Sequence, residues 1–343
     1  MEPKVTLTQV AAAAGVSKAS ASKALNGRKD VSEDTRRRVF DAVERLGYDR
    51  RTARPSGTRP CIALVADNLS TTYTLNILKG ASTAALEADA DLFISHTAVD
   101  QDAAPGLVPL TDPWVQRALD RGCVGVITVT SPSDARLTQR LRAAGLAHVT
   151  IDPATPPPAG TASISATNWN GGVDATQHLV SLGHRRIAFV MGPHASVPCR
   201  ERFEGYMSAL RMNSIPFDAG LVDGDEFSYD NGLNVGRRLL ALPPDQRPTA
   251  IFACNDVVAI GVYEAAREQS IRIPDDLSVV GFDDTDLAGW ATPSLTTVRQ
   301  PLVDMGARAV RTVLRIAAEG AAADQDPIQL TTQLVTRNST ARI

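Results

Sequence analysis

A chain of 343 residues with 43% apolar content is long enough for two or three folded units, each with a core of its own. Lys and Arg number 35 against 38 Asp and Glu, a net charge of −3. No apolar run approaches the roughly 20 residues that span a bilayer and the polar, basic N-terminus lacks a signal-peptide stretch, so a cytoplasmic protein is expected, with no membrane partner.

The first predicted helix opens at Thr6-Leu7-Thr8-Gln9, which has the S/T-x-x-E/Q form of a capping box. It turns at Ala14-Gly15-Val16-Ser17 into a second helix that runs through Leu25, and together the two make a helix-turn-helix signature. Ser17 is a good N-cap, so Lys18, Ala19 and Ser20 fall in the first turn and Lys23 follows one turn later, where side chains can enter a major groove. Asn26-Gly27 breaks the chain and Ser32 caps a third helix. Val39, Val43 and Leu46 recur there at helical spacing before Gly47 ends it, and with Val10, Val16, Ala21 and Leu25 they form a small candidate core. Residues 1–59 carry 13 Lys and Arg against 7 Asp and Glu, a balance of +6, whereas the remainder stands at −9. A basic head on an acidic body points to double-stranded DNA as the partner of the head alone.

Residues 49–60 contain two prolines and no large apolar side chain, the composition of a linker. Beyond it, β-rich apolar runs at Ile62–Ala66, Leu92–Ser95, Val124–Val129, Ala147–Ile151, Ile187–Val190, Ala250–Ala253 and Ser278–Gly281 alternate with helical stretches. That rhythm predicts doubly wound parallel sheets. It breaks around Asp152–Ser165, where three prolines stand in a row, and restarts at Asn170–Leu182, which gives two lobes. Bodies of this kind bind ligands at the carboxyl ends of their strands, and Asp152, Asn255-Asp256 and Asp283-Asp284 each follow an apolar run. After a strand such residues also cap the next helix, and for Asp256 and Asp284 the two readings stand side by side. The four cysteines, Cys61, Cys123, Cys199 and Cys254, show no C-x-x-C pairing and the five histidines no metal spacing, so no metal or cofactor is expected and the thiols are free and mostly buried. The glycine-rich, nucleophile-elbow and H-E-x-x-H motifs of common enzymes are absent.

The chain resembles the lactose/galactose repressor family of bacterial transcription regulators nearly end to end. The resemblance is carried in the head by Val5 through Ala11, Gly15-Val16-Ser17, Ala24-Leu25-Asn26-Gly27, Val31-Ser32 and Leu46-Gly47-Tyr48. In the body it is carried by Leu182-Gly183-His184-Arg185-Arg186-Ile187, Asn255-Asp256, Ser278 through Asp284 and Leu295-Thr296-Thr297-Val298. It implies a helix-turn-helix domain at 1–48, a hinge at 49–60 and, at 61–343, a periplasmic-binding-protein-like α/β body that binds an effector and dimerises. The lobes are expected at about 61–165 with 296–320, and about 166–292 with 325–343. A homodimer would read a near-palindromic operator.

The resemblance also assigns roles. Lys18 and Ala19 match the specificity pair, and Lys23 stands where many members have arginine; Thr6, Ser17, Ser22, Asn26 and Tyr48 match phosphate-positioning groups. The hinge departs from the family, because between Leu46 and Ile62 there is no leucine to wedge into the minor groove. Arg50, Arg51 and Arg54 are expected to hold phosphates or reach that groove instead, with little central kink. In the cleft, Arg202, Asp283 and Asn255 match effector contacts, joined by Asp152, by Tyr73 from the loop after the first strand, by Phe227 and by Trp290. Paired acceptors and donors beside aromatic rings suit a sugar or oligosaccharide that releases the operator. A purine- or sugar-phosphate-dependent corepressor is the alternative, a carbohydrate-active enzyme using Asp152 and Asp283 a distant one, and a transport-linked sugar-binding protein is disfavoured by the basic head.

Overall fold

The computed structural model describes residues 5–25, 31–46, 59–97, 110–132, 135–320 and 326–343. It resolves into two compact units that part between Arg59 and Pro60. In the first, Thr6 caps α1 (Leu7–Ala14) through a reciprocal capping box: the Gln9 amide N–H donates to Thr6 Oγ1 at 3.4 Å, and the Thr6 amide donates to Gln9 Oε1 at 2.7 Å. Gly15 closes α1 at φ 65°, a left-handed conformation that costs a residue without Cβ little, and its N–H reaches back to the Ala11 and Ala12 carbonyls. Ser17 Oγ then accepts the Ser20 amide at 3.0 Å and starts α2 (Lys18–Leu25), while Ser32 Oγ accepts the Thr35 amide at 3.2 Å and starts α3 (Glu33–Leu46). Val10, Ala14, Ala21, Ala24, Leu25, Val39 and Ala42 are buried at the centre, with Val16, Val43 and Leu46 packed around them. The small residues let three short helices approach closely enough to share so small a core.

Among the described residues, the second unit holds two sheets of six strands. The chain runs β1 (Cys61–Ala66), α4 (Thr72–Glu87), β2 (Asp91–His96), α5 (Asp112–Asp120), β3 (Cys123–Val129), α6 (Ala135–Ala143), β4 (Ala147–Ile151) and β5 (Ala162–Ala166). It continues through α7 (Asn168–Ser181), β6 (Ile187–Val190), α8 (Val197–Met212), β7 (Val222–Asp223), α9 (Tyr229–Leu240), β8 (Ala250–Ala253), α10 (Asp256–Glu268), β9 (Ser278–Asp283), α11 (Asp286–Trp290) and β10 (Thr296–Arg299), and closes with α12 (Leu302–Glu319), β11 (Ile328–Leu330) and β12 (Gln333–Val335). The strand orders are β2-β1-β3-β4-β5-β11 and β7-β6-β8-β9-β10-β12, one strand order used twice. All neighbours are parallel except β10 and β12. Central strands such as Cys61–Ala66 and Ser278–Asp283 are buried along their whole length, as expected for sheets covered by helices on both faces.

Three features differ from the sequence reading. The break at Asp152–Ser165 ends in a strand, β5, whose Ala-Ser-Ile-Ser-Ala sequence has one large apolar residue and is held by β4 and β11 on its two sides. Thr296–Arg299, expected with the first lobe, pairs with β9 in the second sheet, where its β-branched Thr296, Thr297 and Val298 are buried; the return to the first lobe begins only at α12. Ile328–Leu330, expected with the second lobe, pairs with β5 in the first, Ile328 opposite Ile164. The lobes are therefore joined by three short crossovers, at Thr167, at Gln300-Pro301 and at Thr331-Thr332.

Candidate functional site

The carboxyl ends of the strands in both lobes face one cavity of about 350 Å³. Each sheet reverses its strand order beside its first strand, where ligand crevices of doubly wound folds lie. From the first lobe come Asp67 after β1, Thr130 after β3, Asp152 after β4 and Tyr73 in the first turn of α4; from the second come Arg202 of α8, Phe227, Asn255 after β8 and Asp283 at the end of β9. Asp152 at φ 43°, Thr130 at φ 50° and Asp283 at φ 107° all hold backbone conformations that L-residues rarely adopt. Such strain persists where the surroundings hold a side chain in one place.

Helix packing fixes Arg202. α7 and α8 meet through glycines: a Cβ on Gly172 would lie 2.3 Å from the Arg202 carbonyl oxygen, and one on Gly205 2.3 Å from that of Trp169. The guanidinium, 3% exposed, donates from Nε to Asn168 Oδ1 at 2.9 Å and from a terminal nitrogen to the Cys254 carbonyl at 2.7 Å. It lies 3.5 Å from Asp283 Oδ1 and 3.8 Å from the centre of the Phe282 ring. Burial raises the Asp283 carboxyl to about 6, against the pull of Arg202 and the hydrogen bond from Gln300. Asp152 accepts from the Tyr73 hydroxyl at 2.6 Å and from Ser165 Oγ at 2.5 Å. Its carboxyl is also raised, burial outweighing both donors, and Tyr73 is pushed well above the usual phenol range by burial and by the Asp152 charge. Arg202 is the one cation among the described lining residues, against the carboxylates of Asp67, Asp152, Asp256 and Asp283.

Six of the seven residues proposed for the cleft, Tyr73, Asp152, Arg202, Phe227, Asn255 and Asp283, line this cavity together. Tyr73 sits in α4 and not in a loop, because Thr71 caps that helix by accepting the Thr74 amide at 3.1 Å. Asn255 combines both readings: its Oδ1 accepts the Val258 amide at 2.9 Å as the cap of α10, which leaves its side-chain NH2 for the cavity. Trp290, the seventh, lies elsewhere. It is 73% exposed and does not line the cavity, because α11 turns the buried Ala288 inward and ends on Trp290. Asp256 accepts from the Thr285 amide at 2.7 Å and from Thr297 Oγ1 at 2.6 Å, so it braces β9 against β10. Asp284 is paired with Arg299 and Arg337, each at 2.6 Å.

Sequence reasoning missed Asp67, Thr130, Ser196 and Asn168. Asp67 ends an apolar strand as Asp152 does, so the same signal marks it, and the Thr130 hydroxyl donates to its carboxylate. Burial raises the Asp67 carboxyl. Asn168 is wholly buried and acts at one remove from the cavity, which no local pattern announces.

On the head, Lys18, Ala19 and Lys23 are exposed on α2 and Ser20 is half-buried. Thr6 and Ser17 are exposed but already engaged as helix caps. The side chain of Ser22, and Asn26, Tyr48, Arg50, Arg51 and Arg54, lie outside the described residues. All four cysteines are buried and outside any disulfide; Cys61 and Cys123 lie side by side on β1 and β3 with their sulfurs 3.3 Å apart.

Residues 6–51 match the family described as bacterial regulatory proteins, lacI family, and residues 176–340 match the periplasmic binding protein-like domain. The chain is 32% identical to the HTH-type transcriptional regulator DegA of Bacillus subtilis (strain 168) over 98% of both chains. It belongs to the LacI family of bacterial transcriptional regulators. Among solved structures, this LacI-family regulator is similar to the complex of the transcriptional regulator CelR with cellobiose, at a TM-score of 0.70 and 30% identity over 98% of this chain and all of that one. It is also similar to the lac repressor dimer bound to operator and the anti-inducer ONPF, at a TM-score of 0.70 and 28% identity over 99% of this chain and all of that one. The relatives are regulators and not enzymes; Asp152 is held by Tyr73 and Ser165, and Asp283 by Arg202 and Gln300.

Proposed function

We propose that the protein is a cytoplasmic, homodimeric repressor of carbohydrate-utilisation genes that leaves a near-palindromic operator when a neutral sugar or short oligosaccharide fills the cavity. The observation that carries this reading is the balance of groups lining the cavity. Carboxylates and amides accept and donate to hydroxyls, Phe227 offers an apolar ring face, and the single guanidinium is already committed to Asp283 and to a carbonyl. A phosphate or carboxylate ligand would meet Asp67 and Asp152 with no free cation among the described lining residues, which disfavours a sugar-phosphate or nucleotide corepressor. The similarity to the CelR–cellobiose complex supports the same ligand class. Lys18 and Ala19, with Ser20 and Lys23, are the proposed base-reading positions; Thr6, Ser17, Ser22, Asn26 and Tyr48 the phosphate-positioning ones; Arg50, Arg51 and Arg54 the linker's hold on DNA.

Polarisation titration of the DNA flanking its own gene, repeated with xylo-, cello- and malto-oligosaccharides, monosaccharides and purines, tests the reading. Release by one neutral sugar supports it; operator binding that strengthens with a purine or a phosphate ester overturns it. Because the linker lacks an apolar wedge, circular permutation of the operator is expected to register little bend at its centre, and a large central bend would refute that part.

A further inference from the structure

Two buried amides stand where the lobes cross. Asn168 opens α7 directly after the first crossover residue, Thr167, and Gln300 is the first residue of the second crossover. Asn168, wholly buried, donates from Nδ2 to Ser165 Oγ at 3.2 Å and to the Ala166 carbonyl at 3.1 Å, and accepts from Arg202 Nε. Gln300, 3% exposed, donates from Nε2 to Asp283 Oδ1 at 2.7 Å, while its amide N–H donates to the Asp283 carbonyl at 3.2 Å. A single chain of contacts thus runs Tyr73, Asp152, Ser165, Asn168, Arg202, Asp283, Gln300. It begins in the first lobe, passes through one crossover into the second lobe and ends on another crossover. The third crossover is tied to the first: the Thr332 amide donates to Thr167 Oγ1 at 2.9 Å, and the Thr167 amide to the Leu330 carbonyl at 2.9 Å.

Resting on the reading of the cavity as the effector site, we propose that Asn168 and Gln300 are the positioning residues through which occupancy of the cavity sets the angle between the lobes. Rotation of one lobe against the other must be absorbed by backbone torsions at the three crossovers, since the sheets and helices on either side are rigid packed units. A ligand hydroxyl that draws Arg202 or Asp283 changes their hold on Asn168 and Gln300, and so biases all three crossovers at once. Gln300 supplies a second sign of a residue built for two arrangements: its Oε1 is buried and meets no hydrogen-bond donor among the described residues. A buried acceptor of that kind is costly in one arrangement and is relieved in another that offers it a donor.

The full chain with Gln300→Met keeps side-chain length and removes the donor, and Asn168→Asp keeps shape and removes the donor to Ser165. Hydrogen exchange by mass spectrometry on the sugar-free protein reads the coupling directly. Gln300→Met is expected to speed exchange about tenfold at the Thr167 and Thr332 amides as well as at its own crossover, with the reciprocal effect at Gln300 in Asn168→Asp. Faster exchange confined to the substituted segment would overturn the proposal. With saturating cellobiose as the probe, the ratio of operator affinities without and with sugar is expected to fall about tenfold in Gln300→Met. An unchanged ratio would equally overturn it. If the parent chain gives no cellobiose isotherm, the reading of the cavity fails for that sugar, and the exchange measurement still decides for or against the relay.

Discussion

The head and the body recognise their ligands in opposite physical regimes. Lys18, Ala19 and Lys23 stand in solvent on a helix packed against a core of mostly alanine and valine, whereas Arg202, Asn255, Asp152 and Asp283 are buried among two sheets' worth of helix packing. Exposed charges attract a polyanion over nanometre distances and are screened by salt; buried groups contribute little until a ligand reaches them, then contribute strongly because no water competes. The difference explains why a chain with a net charge of −3 can bind DNA at all: its first 59 positions carry a balance of +6 against −9 for the remainder.

The largest way to break that contrast is Arg202→Ala. Removing a buried cation leaves Asn168 Oδ1 and the Cys254 carbonyl without their donor and Asp283 without its counter-charge, a change of about 3–5 kcal/mol, so calorimetry should register at least a roughly hundredfold loss of effector affinity and a lower melting temperature. Operator binding by gel shift should survive. Lys18→Ala should do the converse, costing about 1–3 kcal/mol of operator affinity, or roughly ten- to a hundredfold in polarisation titrations, with the sugar isotherm unmoved. Loss of sugar response in that variant would mean the two regions are not separable.

Acidity sharpens the comparison. Asp283 accepts more strongly from a ligand hydroxyl when ionised than as the neutral acid, and its carboxyl is raised to about 6, so sugar affinity should fall by up to about tenfold for each pH unit below 6 and stay flat above. The same shift acts oppositely on stability. A carboxyl raised on folding favours its protonated form in the folded state, so its contribution is full below the ordinary carboxylate range and is lost as pH rises through about 6. Melting curves of the parent chain and Asp283→Asn between pH 4 and pH 8 should converge at the acid end and part at the alkaline end. Sugar affinity independent of pH across 6 would remove Asp283 from the binding role. The smallest effect is expected for Trp290→Ala, within about twofold of the parent in sugar affinity, since that ring is exposed and off the cavity; a tenfold loss would restore it as a contact.

Much of the fold was legible in the residues, for local reasons. The capping box at Thr6, the serine caps at Ser17 and Ser32 and the glycine at position 15 mark helix ends by chemistry that acts over three or four residues. Strands buried on both faces, such as Ala147–Ile151 and Ala250–Ala253, announce themselves as unbroken apolar runs. β5 did not, because its alternating Ala and Ser carry little hydrophobic signal and its place is given by its neighbours. The cavity shows the same division. Asp152, Asn255 and Asp283 end apolar runs and can be read there, and Asp67 carries the same signal. Arg202, Tyr73 and Phe227 came from resemblance alone, since an arginine or an aromatic residue in a helical stretch has no local mark of function.

By itself the sequence determined the basic head with its capped helices, the acidic body of alternating strands and helices, and the polar residues that end its strands, because capping, charge and burial periodicity act between residues close in the chain. Only the tertiary structure decided that β10 belongs to the second sheet and β11 to the first, that Trp290 faces solvent, and that Asn168 and Gln300 meet the Arg202–Asp283 pair from two different crossovers. Those outcomes depend on which distant strands share a ladder and on glycine-sized gaps between helices, such as that between Gly172 and the Arg202 carbonyl, and residues 30 or more apart leave no imprint on one another's local pattern.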